Sequence, residues 1–310
     1  MPSPAITRRL LPVLLGVLLV AGLSSPGPAE PVSVAHARGE TILADTPRRV
    51  VVFDLATLDT LDLLGVPVLG VPGSHIPDYL GKYRGEGYAK VGSLFEPNYE
   101  AVNALKPDLV IVASRSAPAY DALSRIAPTI DLTPDPADFL GSAERNARLL
   151  GKIFGQEEKV ASLIETLDLK VAETRAVAET RGAALVVMVS GGKLTAYGTG
   201  SRFGWLHRSL GFEPAAPDLK AATHGDAISF EFIAATNPDW LFVLDRDSIV
   251  GNAGQAASRV LDNELVASTK AARAGRIVYL DAVHWYLVGG GLDSVARMTE
   301  EIATALAGRK

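Results

Sequence analysis

The chain has 310 residues, a formal net charge of −5 and no cysteine. Disulfides, thiolate metal sites, cysteine nucleophiles and the lipid-bearing cysteine of exported lipoproteins are therefore excluded. No basic run suggests a nucleic-acid surface.

Residues 4–23, PAITRRLLPVLLGVLLVAGL, pair two arginines with an apolar run too short and too Gly-interrupted for a membrane span. They read as a secretory signal, and no later segment approaches the roughly 20 apolar residues a membrane helix needs. Small residues offer cleavage after Ala29 (Gly27-Pro28-Ala29) or after Ala37 (Ala35-His36-Ala37). The sequence leaves both open; Arg38 serves as the working start, with residues 1–37 as the signal peptide. The Arg8-Arg9 pair also leaves Sec and twin-arginine export open. Removing residues 1–37 takes Arg8, Arg9 and Glu30 from the 30 basic and 35 acidic residues, leaving 28 against 34. About 270 residues are more than one core usually serves, so two domains are expected.

From Val50 onward, short β-branched runs alternate with helix-length amphipathic stretches, an α/β rhythm. Strands are expected at 50–53, 66–71, 108–113 and 129–132, with helices at 56–64, 98–105 and 118–126. This first α/β lobe is assigned residues 38–136. Residues 137–181 lack strand signals and read as two successive helices. In the second, Val160, Leu163, Ile164, Leu167 and Val171 recur at the spacing of one buried face. A helix from Glu157 to about Thr180 would be roughly 36 Å long and would serve as a rigid connector. The α/β rhythm resumes in a second lobe, residues 182–310, with strands at 184–190, 194–198, 240–245 and 277–281 and a closing helix at 292–306.

The lobes also repeat in sequence. Residues 99–108, YEAVNALKPD, match residues 230–239, FEFIAATNPD, with aromatic, Glu, Ala, Pro and Asp at identical offsets. Each reads as a helix closed by Pro-Asp and followed by an apolar strand. The first-turn position of Glu100 and Glu231 is adequately explained by the helix dipole.

No nucleophile elbow, P-loop or zinc-binding HExxH motif is present, so an enzyme is the minority reading. Arg115 and Arg246 each follow an apolar strand, and Arg202 lies in the Gly-rich turn 198–204 before a helix. Open α/β sheets bind ligands at the carboxyl ends of their strands. Three guanidinium groups in such loops suit a polyanion. His224 and Tyr286 stand in loops of the second lobe and are competent ligands for ferric iron, though spacing alone favours a turn histidine and a packed aromatic.

The segments 58–65 (LDTLDLLG), 100–111 (EAVNALKPDLVI), 200–204 (GSRFG), 223–225 (THG), 245–246 (DR) and 285–287 (WYL) together resemble the periplasmic ferric-siderophore-binding proteins, specifically catecholate binders of the petrobactin type. The resemblance covers essentially the whole mature sequence. It implies two α/β lobes joined by one long helix, a ligand cleft between them and little hinge motion. It further implies that Arg115, Arg202 and Arg246 surround an anionic chelate, with its rings stacking on guanidinium or on Trp285. His224 and Tyr286 would complete iron's coordination sphere when a siderophore supplies only four oxygens. Glu100 and Glu231 would dock on arginines of the permease of an ABC transporter. The chain departs from the family pattern at Val283-His284, where relatives often carry Glu-Tyr. The resulting expectation is a monomeric periplasmic substrate-binding protein that delivers a ferric catecholate siderophore. It is not an enzyme, has no intrinsic cofactor and carries ferric iron as siderophore chelate. A haem or cobalamin carrier of the same fold, and a periplasmic hydrolase acting on an anionic substrate, are the alternatives.

Overall fold

Period-two alternation begins earlier than the working start. Val32, Val34 and His36 share one face of a strand, β1 (Val32–His36), which pairs antiparallel with β2 (Gly39–Leu43). The computed structural model describes Met1 and residues 31–219, 224–250 and 256–308. The arginine pair and apolar run of the expected leader, the site after Ala29 and Thr223 of the THG segment lie outside the described residues. Residues 32–36, within the segment assigned to the signal, form β1, and Val34 is completely buried in the core.

The first lobe is a parallel sheet built from β3 (Val50–Val52), β4 (Gly70–Val71), β5 (Ala89–Lys90), β6 (Leu109–Val112) and β7 (Thr129–Asp131), in the order β5-β4-β3-β6-β7. Helix α1 (Leu55–Leu64) follows β3, and α2 (Tyr99–Leu105) precedes β6. The expected helix at 118–126 contracts to a 3₁₀ turn and one α-helical turn, Tyr120–Leu123. Helices α3 (Phe139–Phe154) and α4 (Glu157–Ala178) form the connector, separated at Gly155, whose φ of +64° is the left-handed cap that ends α3.

In the second lobe β8 (Ala183–Ser190), β12 (Trp240–Asp245) and β13 (Ile277–Leu280) run parallel. The antiparallel strands β9 (Lys193–Tyr197) and β11 (Asp226–Ile228) extend this sheet, and β10 (Glu213–Pro214) sits beside β8. Helix α5 (Phe230–Thr236) leads into β12; a π-helical turn (Val283–Val288) and α6 (Leu292–Leu306) close the chain.

The sequence repeat is also structural. Asn98 caps α2 by accepting the Ala101 amide, Ser229 caps α5 by accepting the Phe232 amide, and both helices end in a left-handed residue before proline, Lys106 and Asn237. The aspartates that follow, Asp108 and Asp239, accept backbone amides at the start of the neighbouring strand, from Arg48 and Arg49 and from Ala183. Glu100 and Glu231 are thereby exposed on equivalent helix first turns.

Helix α4 buries Val160, Ile164, Leu167 and Val171, with Leu163 packed at the margin, as its periodicity requires. Its 22 residues span about 33 Å. One end meets the first lobe, where Lys159 Nζ donates to the Leu63 carbonyl at 2.8 Å. The other meets the second, where Arg175 Nη1 donates to the Arg208 carbonyl at 3.0 Å. A single apolar core unites Val52 and Ile111 with Ile164, Leu167, Phe242 and Leu244, so the lobes share buried surface instead of meeting across solvent.

Chain order groups α6 with the second lobe, yet it lies along α4 and on α1. Asp59 of α1 caps it, accepting the amides of Asp293 and Ser294 at 3.1 and 3.2 Å, and Thr60 accepts that of Leu292 at 3.0 Å. Only glycine fits at 291, because a Cβ there would stand 2.3 Å from Asp59 Oδ2. Farther along, Glu301 accepts the Asp281 amide at 2.9 Å and the Trp285 indole at 2.7 Å, tying α6 to the second lobe. Helix α6 is therefore a second strut between the lobes.

Candidate functional site

The order of the first sheet reverses between β3 and β6, and a crevice opens where such neighbouring strands send their connections in opposite directions. Asp54 follows β3 and caps α1, accepting the Thr57 amide at 2.8 Å. Burial pushes its carboxyl up, against the lowering effect of the Thr57 hydrogen bonds and the Arg115 charge. Arg115 follows β6 through Ser114, whose φ of +48° is rare for a residue with a side chain. That turn is braced on both sides. Thr133 Oγ1 accepts the Ser114 amide at 2.7 Å, and the buried Ser116 hydroxyl accepts the Ala113 amide at 3.0 Å.

Arg246 leaves β12 with its amide bonded to the Val189 carbonyl, and its Nη1 donates to Ser190 Oγ at the end of β8 at 3.0 Å. Arg202 projects from the turn after β9, where Ser201 Oγ donates to the Gly198 carbonyl at 2.7 Å.

All three arginines converge on Tyr286 of the π-helical turn. Arg246 Nε donates to its hydroxyl at 2.9 Å, while Arg115 Nη2 and Arg202 Nη2 donate to its carbonyl at 2.9 and 3.1 Å. Arg115 Nη1 also reaches the Leu287 carbonyl at 3.1 Å. The guanidinium carbons of Arg202, Arg115 and Arg246 lie 4.8, 5.4 and 5.7 Å from the Tyr286 ring centre. Among the described residues, no carboxylate forms an ion pair with any of the three.

Burial pushes the Tyr286 phenol up, but the Arg246 hydrogen bond and the charges of Arg246, Arg115 and Arg202 outweigh it and hold the phenol below its ordinary range. Arg202 is lowered by burial and then by the Arg115 charge, as expected of like cations brought together. The site is a cluster of under-neutralised cations around a phenol, suited to an anion with several acceptor oxygens.

The other sequence-derived candidates fall differently. His224 is exposed in the turn entering β11, and among the described residues no hydrogen bond or ring contact joins it to Tyr286. The turn is held close to β9 by Gly225, whose φ is +71° and whose Cβ would stand 2.4 Å from the Ala196 carbonyl oxygen. Trp285 requires correction: it is 2 % exposed, stacked 5.2 Å from Trp205 and bonded to Glu301, so its ring has no free face for a ligand. The divergent His284 is a core residue, 2.9 Å from Ser294 Oγ.

Sequence reasoning missed Asp54, Ser114, Thr133, Ser190 and Tyr197. Asp54 was accessible as an aspartate placed for capping between a strand and a helix. Tyr197, buried and pushed up to about 12 chiefly by burial, feels the charges of Arg202 and Arg246 and carried no local signal. Away from the arginines, a groove of about 570 Å³ between α4 and α6 is lined by Leu63, Leu163, Leu169 and Leu292.

The family described as periplasmic binding protein matches residues 50–283. The chain belongs to this family. Its two lobes of largely parallel sheet are those of the family's solved structures. This periplasmic binding protein is 40 % identical over 282 residues to the petrobactin-binding protein YclQ of Bacillus subtilis, covering 89 % of each chain. It is 33 % identical over 278 residues to the ferric-anguibactin-binding protein FatB of Vibrio anguillarum, covering 88 % of this chain and 86 % of FatB. The crystal structure of YclQ matches with a TM-score of 0.86 over 90 % of this chain and 99 % of that one. The periplasmic catecholate-siderophore binding protein VctP of Vibrio cholerae, 36 % identical, matches with a TM-score of 0.85 over 89 % of this chain and all (100 %) of VctP.

Proposed function

We propose that this chain captures a ferric catecholate siderophore in the periplasm and delivers it, as a monomer, to the permease of an ABC importer. The observation that carries this reading is the convergence of Arg115, Arg202 and Arg246, from both lobes, on one tyrosine. A ferric tris-catecholate is a bulky trianion whose six phenolate oxygens surround the iron and keep lone pairs facing outward between the rings, and planar guanidinium forks can both neutralise it and donate to those oxygens. Cobalamin lacks that charge. The ligands for which YclQ and VctP are named, petrobactin and catecholate siderophores, point the same way.

In this reading the phenol of Tyr286, already held below its ordinary range, is suited to bind ferric iron directly when a tetradentate siderophore leaves positions vacant, with His224 as the second ligand. With a hexadentate siderophore both serve only as neighbours. The leader directs the chain to the periplasm, and exposed Glu100 and Glu231 engage the permease, one from each lobe.

The test is titration of ferric tris-catecholates, ferric hydroxamates, haem and cobalamin against wild type and the variants Arg115→Ala, Arg202→Ala and Arg246→Ala. Each variant is expected to lose about ten- to a hundredfold in affinity for the catecholate, the contribution of a charge-assisted hydrogen bond. Affinity within about twofold of wild type in all three would remove the assignment.

A further inference from the structure

The segment just after the leader is built into the folded protein. Strand β1 pairs with β2 along its whole length, from Val32 opposite Leu43 to His36 opposite Gly39. Val34 is fully buried beside the nearly buried Leu43, and His36 Nε2 lies 2.9 Å from Thr41 Oγ1. Beyond the strand, the Ala37 amide donates to the Asp131 carbonyl at 3.0 Å, and Arg38 Nε pairs with Asp131 Oδ2 at 3.2 Å.

This hairpin turn also reaches the arginine site. Asp131 Oδ1 accepts the Thr133 amide at 2.9 Å, and Thr133 Oγ1 accepts the Ser114 amide at 2.7 Å, one residue before Arg115. A path of hydrogen bonds therefore runs from Arg38 through Asp131 and Thr133 to the turn that aims Arg115.

Both small-residue sites in the sequence satisfy the chemistry of leader cleavage, but they leave different proteins. Cutting after Ala37 would remove β1 entirely, vacate the core position of Val34 and expose the paired edge of β2. Cutting after Ala29 leaves the hairpin intact and falls six residues beyond the end of the apolar run at Leu23.

We infer that the leader is removed before Val32, at Gly27-Pro28-Ala29, so that β1 belongs to the mature protein and braces the Arg115 turn. This inference rests on the export reading above.

The full chain with its own leader, produced in a Gram-negative host, supplies the test: the intact mass and amino-terminal peptide of the periplasmic form. The expected terminus is Glu30. Ala37→Leu should leave processing unchanged, whereas Ala29→Leu should raise the precursor several-fold. A terminus at Arg38, or a block by Ala37→Leu, would overturn the processing site while leaving export intact. A chain that keeps Met1 and stays in the cytoplasm would overturn the export reading and this inference with it. No step of the experiment requires ligand, so the ligand assignment stands or falls separately.

Discussion

Arg246 donates its Nε hydrogen to the hydroxyl of Tyr286 at 2.9 Å, from the opposite side of a residue whose carbonyl already takes two guanidinium donors. One tyrosine thus gives three like charges two acceptors in the empty protein, a carbonyl shared by Arg115 and Arg202 and a hydroxyl for Arg246, and the arginines differ in what they contribute to it. Arg115 ties the first lobe to the Tyr286 and Leu287 carbonyls, whereas Arg202 is buried against the Arg115 charge.

Removing them should consequently have unequal effects on the empty protein. Arg115→Ala is expected to lower Tm by a few degrees, since it deletes two hydrogen bonds worth about 1 kcal/mol each. Arg202→Ala should leave Tm unchanged or raise it, because relief of repulsion offsets its single bond to Tyr286. Thermal unfolding without ligand separates the two; equal losses would mean that like-charge repulsion is unimportant here.

Tyr286→Phe keeps the ring and the carbonyl contacts but removes the acceptor of Arg246. A ferric bis-catecholate, whose iron has vacant positions, should bind the variant at least about tenfold more weakly and lose part of its phenolate-to-iron absorption band. A tris-catecholate should be affected much less. Parallel losses for both ligands would assign Tyr286 to packing alone.

Thr133 is not one of the proposed ligand-binding residues, yet its hydroxyl holds the strained Ser114 turn. Thr133→Val, nearly identical in shape, should weaken catecholate binding about five- to tenfold by loosening Arg115. Thr133→Ser should restore it. Failure of serine to rescue, with valine and serine variants equally stable, would show that the methyl group and not the hydrogen bond matters.

Asp59 supplies the clearest pH dependence. Burial, aided by the nearby Asp293 charge, pushes its carboxyl up to about 7 despite donors from Tyr79, Asp293 and Ser294. Arg297 and His284 face the same region, Arg297 paired with Asp293 at 2.7 Å and the His284 ring tilted against Tyr79 with ring centres 5.1 Å apart. A folded value above the unfolded one, about 4, means that the native state holds the proton more tightly. The contribution is fully present below pH about 4 and is lost as pH rises through about 7, a change on the order of a few kcal/mol. Asp59→Asn, which keeps an acceptor for the α6 amides, should flatten the fall of Tm across that window. An identical pH profile in the variant would show that Asp59 is ionised throughout.

Glu100 and Glu231 are exposed at matched helix first turns, and hydrogen bonding from Ser229 holds the Glu231 carboxyl below its ordinary range. Replacing both with alanine should leave siderophore affinity and Tm within experimental error while abolishing stimulation of the transporter's ATPase. Unchanged uptake by the double variant in cells would remove the docking role.

The α/β rhythm, the long connector and the repeated helix-Pro-Asp-strand unit were all legible, because each is written in local periodicity and turn chemistry over ten to twenty residues. Helix α6 was anticipated at residues 292–306, where it lies, and the buried face of α4 was read residue by residue. Strand β1 was overlooked because its alternation falls within the segment expected to be the leader, and Trp285 was misassigned because its position beside Tyr286 in sequence says nothing about which way a π-helical turn directs each ring.

The sequence by itself determined that three permanent cations stand at the ends of strands and turns, since arginine keeps its charge in any surroundings and strand ends are marked by local pattern. Only the tertiary structure decided that they meet. Arg115 and Tyr286 are 171 residues apart, and their contact depends on two sheets brought together by α4, α6 and a shared core. The brace from Arg38 through Asp131 and Thr133 to Ser114, and the cap of Asp59 on α6, arise in the same way. Each joins distant segments by hydrogen bonds whose partners are fixed by packing, a property that no local window of sequence contains.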